Sequence, residues 1–186
     1  METLQHYILA GLQHVIPLGF DHVLFIISLF FLNSHLGTAL IQCSLFTVAH
    51  SLTLALVSLG VLSLSATIVE PLIAISIFVV AFENTSRSAS LSWHRLVLVF
   101  LFGLLHGMGF ASALAEFGLP KDELVPALVG FNLGVEIAQV LIIVACYALI
   151  ARPMREREWY HRRVVAPLST AIASVALYWA VQRFLA

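Results

Sequence analysis

"GLQHVIPLGFDHVLF", residues 11–25, sets His14, Asp21 and His22 at the edge of an apolar run that continues to Leu32. Hydrocarbon rejects imidazoles and carboxylates and transition metals accept them, so the surroundings of this stretch decide how it is read. The chain is 61% hydrophobic and only 10% charged, with a mean hydropathy of +1.01, far outside the range of a soluble domain. An integral membrane protein follows, with residues 1–186 forming one transmembrane domain whose connections are too short to hold a soluble catalytic domain. The formal net charge of -1 argues against a nucleic-acid partner. Cys43 and Cys146 both fall in apolar segments, where no disulfide framework is expected. The N-terminus "METLQHYILAGLQH" has neither a basic leader nor a small-residue cleavage site, so the first segment is expected to be retained.

A helix needs roughly 20 residues to cross about 30 Å of hydrocarbon. Six such segments are expected near 19–33, 36–59, 65–84, 94–115, 123–150 and 163–185, separated by stretches such as "ENTSRSASLSWHR" and "ARPMREREWYHRR". The fold class is therefore an all-α membrane bundle of about six transmembrane helices. Residues 4–16 are expected to add a short helix, set off by Pro17 and Gly19, that lies in the interface or dips partway in. Seven basic residues, Arg87, Arg95, Arg152, Arg155, Arg157, Arg162 and Arg163, collect on one face and two, Lys121 and Arg183, on the other. The basic-rich face is expected to be cytoplasmic, which places the protein in a bacterial inner membrane with both termini in the periplasm.

Against this background the ionisable residues inside the spans form a short, uniform set. His14, Asp21 and His22 open the first span, His50 lies mid-span in "FTVAHSLTLAL" (46–56), and Glu83 closes "FVVAFEN" (78–84). His106 lies in "LFGLLHGMGFASAL" (101–114), and Asn132 and Glu136 lie in "FNLGVEIAQ" (131–139). All the ionisable members are imidazoles or carboxylates, with no Lys or Arg among them. A central charge costs roughly 2.5–3.5 kcal/mol on insertion scales, so each asks for a partner or a purpose. Their spread along the membrane normal resembles a path for an ion. Asn132, Glu136, Gln139 and Cys146 share one helical stripe, and Gly103, Gly107 and Gly109 surround His106, so both faces are expected to meet other helices. His6, His35, His94 and His161 sit near span ends and are expected to be solvated, and Glu70 is placed as a helix-start carboxylate. Imidazole with carboxylate suits nickel, cobalt, zinc or iron(II), not calcium, magnesium or copper(I).

In order across residues 10–150, the five stretches quoted above resemble the HupE/UreJ family of hydrogenase and urease accessory membrane proteins. The resemblance implies a secondary permease for nickel or cobalt that serves metalloenzyme maturation proteins. It implies His14, Asp21 and His22 as the uptake motif, with His50, His106 and Glu136 further along the path. Six residues, "VIPLGF", separate His14 from Asp21 here, where the family's better-described permeases have five. On a continuous helix the extra residue would turn His14 by about 100°. Pro17 is expected to absorb that turn by breaking the helix. Glu83 and Asn84 are expected to guide release. No G-x-x-x-x-G-K loop occurs, so transport would not be ATP-driven. The alternatives are a membrane metalloenzyme or a haem- or metal-binding protein built on the same His/Glu set, although no H-E-x-x-H spacing is present.

Overall fold

The computed structural model describes residues 2–86, 90–116 and 124–186, with side chains from Leu4 onward except over 110–116. Arg87, Lys121, the Phe110 side chain and the connection 117–123 lie outside the described residues. Among the described residues there are seven helices and no strand: α1 Glu2–Val15, α2 Phe20–Phe31, α3 Leu36–Ser58, α4 Ala66–Glu83, α5 Trp93–Glu116, α6 Leu124–Met154 and α7 His161–Leu185. Lipid offers no partner to backbone amides, so the all-helical form is the one that the apolar composition demands. The fold is the membrane bundle expected from the sequence.

Four helices, α3, α4, α6 and α7, are long and apolar enough to cross a membrane. α5 contributes the apolar stretch Trp93–Gly109 and continues to Glu116. The expected first span differs from a simple crossing. α2 has only 12 residues, about 18 Å at 1.5 Å per residue. It meets α1 at a bend of 73°, and only taken together are the two long and apolar enough to count as one span. Pro17 cannot donate to the helix ladder, and Gly19 presses its Cα against the carbonyl of His14, a place that a Cβ would fill.

α1 packs against α6, where Gly11 meets the Phe131 backbone and Gly134 meets the Ile8 carbonyl, each at a separation that no side chain could enter. α2 is enclosed, touching α1, α3, α4, α6 and α7. Its buried residues include Phe25, Ile26, Leu29, Phe30 and Phe31, and a helix apolar on all sides belongs in the interior. α3 and α5 also cross closely. Gly103 faces the Phe46 carbonyl at 2.6 Å from its would-be Cβ, and Gly107 faces the carbonyl of His50. These contacts carry the His22, His50 and His106 helices to one place.

Candidate metal centre

Three histidines that the sequence spreads over 36 residues meet in the bundle. His14 at the end of α1, His22 in the first turn of α2 and His50 in α3 each offer a ring nitrogen, and these atoms lie within 4.8 Å of one another. Ring centroids are 4.6 Å apart for His14 and His22, 6.0 Å for His22 and His50, and 6.3 Å for His14 and His50. Around a tetrahedral ion with metal–nitrogen bonds of about 2.0–2.1 Å, ligand nitrogens sit about 3.4 Å apart, so modest side-chain rotations close the set on one ion. The break at Pro17 and Gly19 is what makes this possible. It turns His14 back onto His22.

His106 adds a fourth ring, 5.3 Å from His22. Its Nε2 shares a 2.8 Å hydrogen bond with Ser76 Oγ. Ser76 spends its one hydroxyl hydrogen on the Ile73 carbonyl at 2.6 Å. Nε2 of His106 therefore donates to Ser76, which leaves the lone pair on Nδ1, a buried atom with no hydrogen-bond partner. His22 Nε2 and both nitrogens of His50 are likewise buried and without hydrogen bonds. The Asn132 amide lies close to His50, and its Nδ2 donates one hydrogen to Leu128 O at 2.8 Å. Ser76→Ala should free the His106 ring to turn and weaken metal binding by about tenfold, measured by calorimetric titration, as loss of an orienting partner does elsewhere.

A cavity of about 720 Å³ leads to the cluster from the end of the bundle that carries the α1–α2 bend. His14 and His22 lie in its wall together with Asp21, Glu70, Trp179 and Arg183. Asp21 stands apart from the imidazoles, since Arg183 clasps it with Nη1 at 2.9 Å and Nη2 at 3.2 Å. The same Nη1 donates to the Glu70 carbonyl at 3.3 Å. His6, expected in solvent, lines the cavity mouth.

Glu136 and Glu83 are not part of the cluster. Glu136 accepts from Ser44 at 2.9 Å, and Gln139 accepts from Thr47 at 3.0 Å, so this stretch of the polar stripe on α6 stitches α6 to α3. Glu83 lies at the opposite end, 2.5 Å from Arg95. Arg95, counted in the sequence with the basic face, is drawn into the bundle, for it is 1% exposed and its Nε donates to Gln42 Oε1 at 3.0 Å. Asn84 donates to the Ser28 carbonyl at 2.6 Å, and His161 bonds the Asn84 carbonyl at 3.1 Å.

Between the two ends lies an aromatic layer. Phe46 packs at 5.0 Å from His106 and 6.1 Å from His22, and Phe25 at 5.1 Å from His106. Phe25 also meets Phe46 at 4.9 Å and Phe102 at 6.4 Å. Ser76, Arg95, Gln42 and this layer escaped the sequence reading. Only Gln42, Phe46 and His50, at i, i+4 and i+8 on α3, carried a signal of a shared face.

No curated protein and no solved structure matches the chain. A family model described as HupE / UreJ protein matches residues 1–183. With that match over nearly its whole length, the chain belongs to the HupE/UreJ family of membrane proteins.

Proposed function

We propose that the protein carries a divalent first-row transition metal ion, nickel or cobalt by family, across the membrane as a secondary transporter, with His14, His22 and His50 as its capture site. One observation carries the reading: three imidazoles from three helices stand at ligand spacing inside an apolar bundle. Buried ring nitrogens without hydrogen bonds are costly, and a bound cation offsets that cost. A neutral nitrogen set also favours nickel, cobalt, zinc or iron(II) over magnesium and calcium, which want oxygen.

In this reading Asp21, held by Arg183, lends negative charge to the mouth, and His106 and Asn132 flank the captured ion. Glu83 receives the ion at the far end, and Glu136 belongs to the α3–α6 seam. Arg152, Arg155, Arg157, Arg162 and Arg163 fall in or beside the α6–α7 connection. That orients the cavity towards the periplasm of the inner membrane and the exit towards cytoplasmic maturation proteins. The competing reading, a membrane metalloenzyme, has room in the cavity, but Asp21, the carboxylate next to His22, is committed to Arg183.

Titration of the detergent-purified protein with nickel, cobalt, zinc and iron(II) in turn, read by elemental analysis after desalting, tests the proposal. About one ion per chain is expected for at least one metal. Failure of all four to bind would refute it. Acid should weaken binding, because a protonated imidazole has no lone pair to give. Apparent affinity is expected to fall by about tenfold per pH unit for each proton displaced, once the rings begin to titrate. An affinity that stays flat down to pH 3 in protein that remains folded would remove imidazole from the ligand set.

A further inference from the structure

Three helices place the same three layers in the same order. On α3, His50, Phe46 and Gln42 follow at intervals of four residues, about 6 Å per step. On α5 the order is His106, Phe102 and Arg95, and on α2 it is His22, Phe25 and then Ser28 and Leu29, whose carbonyls accept from Asn84 and Gln42. The imidazole layer, the aromatic layer and a polar layer are thus stacked along one axis. In the polar layer the oxygens suited to a cation are Glu83 Oε2 and Gln42 Oε1, and both are held by the guanidinium of Arg95. Arg95 is wholly enclosed, while the Glu83 side chain keeps 37% of its surface exposed. Arg95 Nη2 and Asn84 Oδ1 are buried in the same layer without hydrogen bonds, so the network is incompletely satisfied.

We infer that Arg95 is a tethered cation that closes the exit of the path, holding the Glu83 and Gln42 oxygens that a departing metal ion needs, so that the ion leaves only when the guanidinium gives them up. The inference rests on the transport reading above. It adds what that reading lacks, namely the group that keeps the far end shut. A fixed positive charge in a low-dielectric passage repels a divalent ion strongly, as arginine barriers in selective pores do. The neighbouring ring layer of Phe25, Phe46 and Phe102 excludes the water that would screen it. The partial satisfaction of Arg95 keeps the closed arrangement from being too deep a minimum, since a buried donor without a partner is costly in the closed state.

The test uses the full chain in vesicles that enclose a metal-quenched dye, with nickel chloride added outside and nickel binding measured in parallel by titration. Arg95→Gln should raise the initial rate of nickel entry by about tenfold while binding at the imidazoles stays within about twofold of wild type. Arg95→Lys should remain near the wild-type rate, because an ammonium still occupies Glu83. A merely structural role would not give that rescue. Gln42→Met, which removes one acceptor from Arg95 and keeps the volume, should raise entry by a smaller factor and serves if Arg95→Gln does not fold. Entry equal to or below wild type in folded Arg95→Gln and Gln42→Met proteins, with binding intact, overturns the inference alone. Wild-type protein that binds no nickel overturns the transport reading for this ion and the inference with it.

Discussion

His22→Ala is expected to lower the affinity for the captured metal ion by about 100-fold or more, the largest loss of any single imidazole substitution. Loss of an outer partner of a ligating histidine costs about 10–100-fold elsewhere, and removal of a ligand itself lies at or beyond the top of that range. His22 is the hub of the cluster, with ring contacts to His14, His50 and His106. Its loss leaves His14 and His50 with centroids 6.3 Å apart and separates His106 from both. Glu136→Gln makes the contrast, because its partner is Ser44 on the helix seam, and binding affinity should change by less than about threefold. Calorimetric titration of both variants decides the matter. A strong loss in Glu136→Gln with little change in His22→Ala would move the site from the imidazoles to the seam.

Gly134→Val is expected to be the most damaging single substitution for the fold. A Cβ at this position would strike the Ile8 carbonyl and lie 2.7 Å from the Leu12 amide nitrogen, and backbone atoms of α1 cannot swing aside as a side chain would. Overpacking usually costs about 1–3 kcal/mol, and a backbone clash belongs at or above the upper end. α1 would have to leave α6 and take His14 with it. The measurements are thermal unfolding in detergent and, for protein that survives purification, metal titration. A fall in stability accompanied by loss of metal affinity is the expected pair. Gly37→Ala is the control, since nothing lies within 4 Å of its would-be Cβ and the exchange should be neutral or slightly stabilising. A Gly134→Val protein as stable as wild type would mean that α1 is not anchored on α6 in the membrane.

These two substitutions also separate what was legible in the chain from what was not. Composition alone excluded a soluble domain, and runs of apolar residues marked α3, α4, α6 and α7 closely, because burial in lipid is a property of each segment by itself. His14, Asp21, His22, His50, Glu83, His106, Asn132 and Glu136 were legible as candidates for the same reason. Each is a polar group that its own segment cannot satisfy.

How those candidates are partnered depends on residues far away in sequence. Asp21 is engaged by Arg183, 162 positions later, and Glu83 by Arg95, which the reading by segments had counted with the loops. The bend at Pro17 was foreseeable from its missing amide, but its consequence was not. That α1 packs against α6 was decided by Gly11 and Gly134 meeting backbone across the bundle. Local chemistry in the sequence therefore determined the solvent, the helices and the kinds of ligand. Only tertiary packing decided that three imidazoles converge while the carboxylates are drawn off by arginine and serine, because charge pairing and close backbone approach are properties of helices in contact.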